Sequence, residues 1–318
     1  MVGNLTGSMA ALVTPMRGGR VDFEGLKSLY RIHAAAGTAG VVICGTTGES
    51  ATLTHGEHQD VIDHAADFFP SEFGDDRPLL IAGTGSNSTA EAVSLTEFAS
   101  ERGVDAVLVI TPYYNKPTPK GQILHYSEVA NAAGTTPVIL YNVPGRTGLK
   151  MTVDTIVELA STIPNIAAVK EASGDLELAS EIVRRSPDDF VLLSGEDNLT
   201  LPMMALGARG VVSVTANLAP ERVREMIDLC LEGSFFGARR IHQELFGLTE
   251  ALFFETSPIP VKTAINMMAG SPAPGGGVWP EAGEFRAPLC DLSEAGRERL
   301  ERELMRMGLL TKTGVAGV

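Results

Sequence analysis

The sequence predicts an α/β fold, a (β/α)8 or TIM barrel with a C-terminal helical extension. Eight short apolar runs alternate with stretches of helical spacing, and the pattern changes near Ser234. Eight strand–helix units before about residue 233 fit such a barrel, which typically has ~250 residues. We therefore expect residues 1–233 to form the barrel domain and residues 234–318 to form the extension.

The apolar runs predict the strands of the barrel. Each ends in small, hydroxyl-bearing or aromatic residues, and its Val, Ile and Leu content is typical of strands buried on both faces of a parallel sheet. The runs are SMAALVTP at Ser8, GVVICGTTGES at Gly40, PLLIAGTGS at Pro78, DAVLVITPYYN at Asp105, TPVILYNVPGRTG at Thr136, IAAVKEASGD at Ile166, FVLLSGED at Phe190 and RGVVSVTAN at Arg209.

Helical spacing fills the segments between the runs and continues beyond them. In the barrel it predicts helices over residues 23–36, 88–102 and 153–161, with N-caps at Asp22, Ser88 and Thr152. In the extension it predicts helices over residues 239–253 and 292–307. Between these two, GSPAPGGGVWPEAGEF has the proline and glycine density of a loop.

An open doubly wound sheet is the alternative fold. It would carry a glycine fingerprint after its first strand, and TPMRGGR follows there instead. The segment GTGSNS at Gly83 matches neither G-x-G-x-x-G nor a P-loop. The barrel is therefore favoured.

Composition excludes several classes of function. Hydrophobic residues make up 44% and charged residues 20%, and 25 basic against 39 acidic residues give a net charge of −14. Nucleic acid and anionic membrane are disfavoured as partners, because both require clustered Lys and Arg. No apolar run approaches the ~20 residues of a membrane span, and MVGNLTGSMA lacks the features of a signal peptide. The scattered Cys44, Cys230 and Cys290 argue against a disulfide framework, so we expect a cytoplasmic protein.

Active sites of such barrels lie at the C-terminal ends of the strands. The residues expected there include a single lysine, several hydroxyl groups and one arginine, but no histidine. They are Thr14, Thr46, Thr47, Thr84, Tyr113, Tyr114, Tyr141, Arg146, Lys170, Gly195, Glu196 and Thr215.

This set disfavours metal-dependent and triad chemistry, so no metal and no cofactor are expected. The six histidines fall in predicted helices or at their starts, and a surface pair explains His55 and His58 better than chelation does. No segment resembles a nucleophile elbow. The loop SGED after the seventh run carries carboxylates that would repel a phosphorylated substrate.

Lys170 is the candidate nucleophile. Burial disfavours a charged ammonium group, and a neutral amine beside a carbonyl compound forms a Schiff base. Tyrosine hydroxyls would then transfer protons, while Arg146 or paired threonines would bind a carboxylate. The alternative is that Lys170 pairs with Glu171 or Asp175 in a solvated loop, and spacing alone leaves both interpretations open.

Six motifs, in order, resemble the dihydrodipicolinate synthase family of the class I aldolase superfamily, which includes N-acetylneuraminate lyase. They are GTTGES, TPYYNKP, YNVPGRTG, VKEASGD, GVVSVTAN and SPIPVK. The similarity runs from about Leu5 to Leu310. The arginine of PGRTG and the double tyrosine of TPYYN indicate the synthase branch.

The resemblance implies condensation of pyruvate with L-aspartate 4-semialdehyde, in diaminopimelate and lysine biosynthesis. By motif position, Lys170 forms the imine and Tyr141 donates and accepts protons, with Thr46 and Tyr114 completing a relay. Tyr114 reaches the site from a neighbouring subunit, which implies a homotetramer built as a dimer of dimers. The substrate-binding residues implied are Thr47, Arg146, Val212 and Gly195.

The resemblance also implies feedback inhibition by L-lysine at a dimer interface. Glu91 would pair with the α-ammonium group of lysine, and Tyr113 adjoins Tyr114 of the proton relay. The implied effector residues are Ser50, Ala51, His55, His58, Asn87, Glu91 and Tyr113. Two segments look longer than usual in the family, FFPSEFGDDRP and the Pro/Gly loop ending near Glu284. Both are expected to be surface elaborations that touch no motif.

Two other functions remain as alternatives. The first is another pyruvate-dependent class I aldolase, cleaving N-acetylneuraminate or a 2-keto-3-deoxy sugar acid through the same imine. The second is a non-catalytic barrel that senses keto acids or lysine. The presence of Lys170, Tyr141, Thr46 and Tyr114 together disfavours the sensor, because a sensor has no need of a proton relay.

Overall fold

The computed structural model describes residues 5–310. Residues 1–4 of the predicted barrel domain and residues 311–318 of the predicted C-terminal extension lie outside the described residues. No helix within residues 5–310 combines the length and the apolar character that crossing a membrane requires.

Eight parallel strands close into a barrel, and each apolar run contributes one of them. The ring closes because β1 pairs with β10 on one side and with β4 on the other, while β2 and β3 form a separate antiparallel hairpin. The strands are β1 (Gly7–Ala11), β2 (Met16–Arg17), β3 (Arg20–Val21), β4 (Gly40–Ile43), β5 (Leu79–Gly83), β6 (Ala106–Ile110), β7 (Val138–Asn142), β8 (Ile166–Glu171), β9 (Val191–Ser194) and β10 (Gly210–Ser213).

Helices follow the barrel strands and cover the outside of the ring. The three predicted helices of the barrel are confirmed as α1, α3 and α6. The barrel helices are α1 (Phe23–Ala35), α2 (His55–Phe73), α3 (Thr89–Glu101), α4 (Pro119–Ala133), α5 (Pro144–Thr147), α6 (Val153–Thr162), α7 (Leu176–Arg185), α8 (Thr200–Ala205) and α9 (Pro220–Leu231).

Two of the three predicted N-caps make capping hydrogen bonds. The Asp22 carboxylate accepts from the backbone N–H groups of Glu24 and Gly25, and the Thr152 hydroxyl accepts from that of Thr155. Ser88 occupies the N-cap position of α3, but its side chain makes no capping bond. Its backbone N–H donates instead to the Ser86 hydroxyl.

The C-terminal part is helical, as predicted, but it contains one helix that the periodicity missed. Its helices are α10 (Phe235–Leu252), α11 (Ile259–Met268) and α12 (Glu294–Arg306). Helix α10 packs on α8 and α9 of the barrel, and α12 packs on α10 and α11. Helix α11 is buried on almost every side, so it has no amphipathic pattern for a periodicity argument to detect.

The expectation that residues 68–78 form a surface elaboration is wrong for their first half. Helix α2 continues through Pro70 to Phe73. Phe69 has no exposed surface, and its ring centroid lies 5.0 Å from that of Tyr30. The helix is extended because burial of these aromatic rings outweighs the helix-breaking tendency of proline.

The Pro/Gly loop was also wrongly expected to touch no motif. Trp279 at its centre is 3% exposed, and Gly283 forms a β-bridge to Met16. The Glu284 carbonyl accepts a hydrogen bond of 2.7 Å from Lys262 of the SPIPVK motif. The loop is therefore part of the packed molecule and contacts one of the six motifs.

Candidate active site

Lys170 lies inside the barrel, one residue before the C-terminal end of β8. The register places it beside Tyr141 on β7 and Leu193 on β9. Its side chain is 6% exposed, and its Nζ atom lies 4.2 Å from the centroid of the Tyr141 ring. The apolar residues before Lys170 thus belong to a buried strand that carries the amine into the mouth of the barrel.

Neither carboxylate next to Lys170 in the sequence pairs with it. Glu171 accepts hydrogen bonds from Asn142 Nδ2 at 2.7 Å and from the Ser173 backbone N–H at 2.6 Å. Asp175 pairs with Lys150 at 2.5 Å. Within residues 5–310, the lysines that form salt bridges are Lys27, Lys150 and Lys262. The solvated-loop interpretation of Lys170 is therefore wrong.

Two partly buried carboxyl groups, Glu196 and Asp197, follow β9 near Lys170. Burial raises the pKa of Glu196 and of Asp197, and the positive charge of Lys170 partly opposes the rise in both. Asp197 also accepts hydrogen bonds from the Ser213 hydroxyl and, at 2.9 Å, from the Val214 backbone N–H. A raised pKa keeps a carboxyl group protonated to higher pH, which limits the negative charge beside the amine.

Gly195 gives the Lys170 side chain its space. A Cβ atom at position 195 would lie 2.9 Å from both Cγ and Cε of Lys170 and 2.8 Å from Cβ of Ala172. Such distances are below van der Waals contact, so only glycine fits without displacing the lysine. Substrate binding by Gly195 is a prediction from the sequence. The structure adds that the absence of a side chain at this position leaves room for the side chain of Lys170.

The loop after β4 carries Thr46 and Thr47. A turn closes between the Thr46 carbonyl and the Glu49 backbone N–H at 3.1 Å, and the Thr14 hydroxyl donates to the Gly48 carbonyl at 2.7 Å. Thr47 is buried, whereas Thr46 is partly exposed to the same cavity as Tyr141. The loop is thus fixed from both sides.

The backbone of Tyr141 is held by Thr111, a contact that the sequence did not suggest. The Thr111 backbone N–H and hydroxyl both donate to the Tyr141 carbonyl, at 3.0 and 2.9 Å. The Tyr126 hydroxyl donates in turn to the Thr111 hydroxyl at 3.3 Å. Two hydrogen bonds to one carbonyl restrict the position from which the Tyr141 side chain projects.

Arg146 lies on α5 and lines the cavity. Its guanidinium donates to the Ser257 carbonyl at 3.2 Å. Ser257 belongs to the SPIPVK motif, 111 residues further along the chain. The C-terminal part therefore supplies a contact that orients this arginine, and sequence reasoning missed it because no local pattern connects the two segments.

Val212 lies in the middle of β10, and its side chain is buried. The preceding residue, Val211, is in register with Ser194, the last residue of β9, and Gly195 directly follows that strand. Pyruvate binding by the backbone of this segment stays a prediction.

The two adjacent tyrosines differ in environment. Tyr113 lines the cavity and is 37% exposed, whereas Tyr114 is 88% exposed and has a φ of 71°. A positive φ is uncommon for a bulky residue and indicates a strained backbone or a tight turn. The structure does not bring Tyr114 to Lys170 of the same chain, because the phenol projects into solvent.

One cavity of about 330 Å³ is lined by most of the predicted effector residues and by three of the predicted active-site residues. Thr46 and Tyr141 of the predicted catalytic residues and Arg146 of the predicted substrate-binding residues line it, whereas its lining does not include Lys170, Tyr114, Thr47, Val212 or Gly195. Asn87 is not among its lining residues, although the Asn87 carbonyl accepts from Asn115 Nδ2 at 2.8 Å. The lining residues of the effector set are Ser50, Ala51, His55, His58, Glu91 and Tyr113.

The two histidines of this cavity have different environments. His58 is buried and its Nε2 lies 2.7 Å from the Gly83 carbonyl, which fixes that nitrogen as a donor. Burial lowers the pKa of His58. His55 Nδ1 lies 3.9 Å from Glu91 Oε1, and both side chains are about half exposed. Within residues 5–310, no group of three or more His, Cys, Asp or Glu side chains could hold a metal ion.

Comparisons with known proteins agree with the fold and the motifs. The model of the dihydrodipicolinate synthetase family matches residues 4–307. A 4-hydroxy-tetrahydrodipicolinate synthase of Methanosarcina mazei is 45% identical over 306 residues, covering 96% of this chain and 99% of that protein.

Two solved structures are informative. Dihydrodipicolinate synthase from Cyanidioschyzon merolae with lysine bound is 39% identical, with a TM-score of 0.90 over 96% of this chain and 99% of that one. A monomeric dihydrodipicolinate synthase variant is 33% identical, with a TM-score of 0.89 over 97% of this chain and 99% of that one. The chain therefore belongs to the dihydrodipicolinate synthetase family.

Proposed function

We propose that this chain condenses pyruvate with L-aspartate 4-semialdehyde to give 4-hydroxy-tetrahydrodipicolinate, a step of diaminopimelate and lysine biosynthesis. The observation that carries the proposal is the position of Lys170. Its amine is buried at the C-terminal end of a barrel strand, forms no salt bridge with a described residue, and lies 4.2 Å from the Tyr141 ring. A buried amine without a counter-ion is suited to attack a carbonyl carbon.

The reaction begins on pyruvate. The Lys170 amine attacks C2 of pyruvate, water leaves, and an imine forms. Loss of a methyl proton converts the imine to an enamine, whose C3 attacks the aldehyde carbon of the semialdehyde. The amino group of the semialdehyde then attacks C2, which closes the ring and releases Lys170.

Proton transfer in these steps is assigned to tyrosine. Tyr141 is the proposed donor and acceptor, because it is in register with Lys170 on the neighbouring strand and its ring lies 4.2 Å from the amine. Thr46 lines the same cavity as Tyr141 and is the second member of the relay. Tyr114 is the third member, supplied by a neighbouring subunit.

Carboxylate binding is divided between two places. The pyruvate carboxylate is held by Thr47 and by the backbone around Val212, and Gly195 bounds the same space. The carboxylate of the semialdehyde is held by Arg146, whose fork of N–H donors suits a planar anion. The bond from Arg146 to the Ser257 carbonyl supports this role because it limits the rotamers of a long, exposed side chain.

L-Lysine is proposed as a feedback inhibitor that binds next to the active site. Six of the seven effector residues line the cavity, and a homologue of known structure has lysine bound. Glu91 supplies the negative charge for the α-ammonium group of lysine. Tyr113 lies between this region and Tyr114, so a bound lysine would act on the proton relay through the adjacent residue.

The assembly proposed is a homotetramer, a dimer of dimers. The solvent-exposed Tyr114 supports it, because the phenol completes a site only if another subunit is adjacent. One dihydrodipicolinate synthase variant of the same fold is monomeric, so the assembly of this chain requires measurement. Sedimentation velocity at assay concentration distinguishes monomer, dimer and tetramer.

The decisive experiment is turnover of pyruvate with L-aspartate 4-semialdehyde, with and without lysine. We expect product formation that persists in a chelator, and borohydride reduction in the presence of pyruvate should label Lys170. The variant Lys170→Met should lose product formation and borohydride labelling. The variant Lys150→Met, which alters an exposed lysine, should keep both activities. An adduct on another residue would refute the assignment.

The alternatives predict different results. A lyase for N-acetylneuraminate or a 2-keto-3-deoxy sugar acid would trap pyruvate on Lys170 but would not turn over the semialdehyde. A sensor would bind lysine or keto acids without forming a trapped imine. Arg146→Ala should raise the KM for the semialdehyde strongly, because the variant binds this substrate more weakly. Neither alternative function predicts that rise.

A further inference from the structure

We infer that the buried ion pair between Glu49 and Lys262 positions the loop that binds the carboxylate of pyruvate. The inference rests on the proposed function and extends it to two residues with no assigned role. The pair joins the GTTGES motif after β4 to the SPIPVK motif on α11, across 213 residues of sequence. Both residues are positioning residues, because their side chains are fully buried and present no surface to a substrate.

Glu49 closes the turn that carries the two threonines. Its backbone N–H donates to the Thr46 carbonyl at 3.1 Å, and its carbonyl accepts from the Thr52 backbone N–H at 2.9 Å. Its φ is 58°, in the left-handed region, which is unfavourable for a non-glycine residue. A glycine or asparagine would adopt this turn more easily, so the glutamate side chain must offset the strain.

The side chain of Glu49 is held by Lys262. The Nζ atom donates to Glu49 Oε1 at 2.5 Å and to the Glu284 carbonyl at 2.7 Å. Both side chains of the pair are 0% exposed. Burial lowers the pKa of Lys262, and the negative charge of Glu49 opposes that shift.

The segment that carries Lys262 is itself held in place by hydrogen bonds. Helix α11 and the Pro/Gly loop are tied by Asn266, whose Oδ1 accepts from the backbone N–H groups of Ala282 and Gly283 at 2.8 and 2.9 Å. Gly283 has a φ of 72°, and a Cβ atom there would collide with the Met16 carbonyl. Lys262 therefore projects from a rigid part of the molecule toward the turn.

A buried ion pair is a poor device for stability alone, because the desolvation of two charges offsets their attraction. A hydrophobic pair of similar volume would often be equally stable. What the charged pair adds is direction, since a short hydrogen bond fixes where the turn lies. A displacement of about 1 Å in such a positioning element can cost a factor on the order of 10² in rate.

The test measures the pyruvate concentration that half-saturates borohydride trapping on Lys170, together with the steady-state KM values. The variants are Glu49→Gln, Lys262→Met and their combination. For each single variant we expect the half-saturating pyruvate concentration to rise by about tenfold or more. The KM for the semialdehyde should stay within about twofold, because Arg146 is held by Ser257.

The double variant separates positioning from stability. Combining Glu49→Gln with Lys262→Met leaves no unpaired buried charge, so thermal stability should recover toward that of the wild type. The positioning role predicts that trapping stays weak despite this recovery. If trapping recovers in proportion to stability, or if either folded single variant keeps its half-saturation within about twofold, the inference is wrong.

Arg77→Gln is the matched control. It breaks a partly buried pair with Asp105 at the N-terminal ends of the strands, remote from the site. It should lower stability without changing the half-saturation of trapping. Wild-type protein that forms no pyruvate adduct at all would refute the proposed function instead, so the two failures are distinguishable.

Discussion

Gly195, directly after β9, leaves the space that the Lys170 side chain of β8 occupies, because a methyl group at Gly195 would lie 2.9 Å from two carbons of the lysine. This arrangement makes the glycine a condition for the position of the amine. It also explains why a residue without a side chain stands among the predicted site residues.

Gly195→Ala should therefore impair imine formation. The added methyl group must displace Lys170, and we expect kcat/KM for pyruvate to fall by a factor on the order of 10², with a loss of stability of about 1–3 kcal/mol from overpacking. Steady-state kinetics and thermal unfolding check this. Gly277→Ala is the control, because a Cβ there meets nothing within 4 Å. Activity of Gly195→Ala equal to that of the control would contradict the steric account.

Tyr114 should act across a subunit boundary. In mixed oligomers of Lys170→Ala and Tyr114→Phe, both inactive alone, one site of each hybrid pair regains a wild-type lysine and a wild-type tyrosine. Random mixing should restore about a quarter of wild-type activity, because half of the pairs are hybrid and half of their sites are complete. The measurement is turnover after co-refolding, with hybrid formation verified by native mass spectrometry.

A matched mixture of Lys170→Ala with Tyr141→Phe should not regain activity, because both residues belong to the same chain's site. Hybrids of the first mixture that remain inactive would show that Tyr114 does not serve a neighbouring subunit.

Glu91→Gln should weaken inhibition by lysine. The Glu91 carboxylate accepts from the Ser86 hydroxyl and lies 3.9 Å from His55, so it presents an anionic group to the cavity. Loss of one charge-assisted bond should raise the lysine concentration for half-inhibition by about tenfold or more. Titration calorimetry and inhibition curves test this, with Glu97→Gln on the exposed part of the same helix as control. Unchanged inhibition in Glu91→Gln would place the effector elsewhere.

Acid stability should depend on Glu57. A hydrogen bond from Arg286 lowers the pKa of Glu57 from 4.5 to about 2. Since the folded state then binds its proton less readily than the unfolded chain, the pair stabilises the fold above pH 4.5, and this contribution disappears as the pH falls toward 2.

The variant Glu57→Gln keeps a side chain that can complete the capping box of α2 but removes the charge. Its urea midpoint should lie below that of the wild type at pH 7, and the difference should vanish as the pH falls from 4.5 to about 2. Glu97→Gln should follow the wild type throughout. A difference that persists unchanged at the acid end would mean that the pair with Arg286 is not its source.

Much of the fold could be predicted because short, local sequence patterns specify its strands and helices. Apolar runs such as IAAVKE specify buried parallel strands, and Lys170 interrupts one of them at the expected end. The division of the chain at residues 233 and 234 and the cytoplasmic location stay predictions.

The missed features all depend on distant partners. Helix α11 has apolar residues on every face, so its sequence shows no period. The end of α2 looked like a loop because Pro70 and Gly74 are breakers, and only the packing of Phe69 against Tyr30 overrides them. The contact of Arg146 with Ser257 and that of Glu49 with Lys262 span 111 and 213 residues, distances at which no spacing rule operates.

The C-terminal part of the chain contacts residues of the barrel at the candidate site, through Lys262 and Ser257. These contacts limit how segments of this enzyme could be exchanged with those of relatives. A gene cut after α9 would still encode Lys170 and Tyr141, yet it would strand Glu49 without its cation and Arg146 without its acceptor. Chimaeras that exchange the part after α9 between relatives must therefore transfer GTTGES and SPIPVK as a matched set.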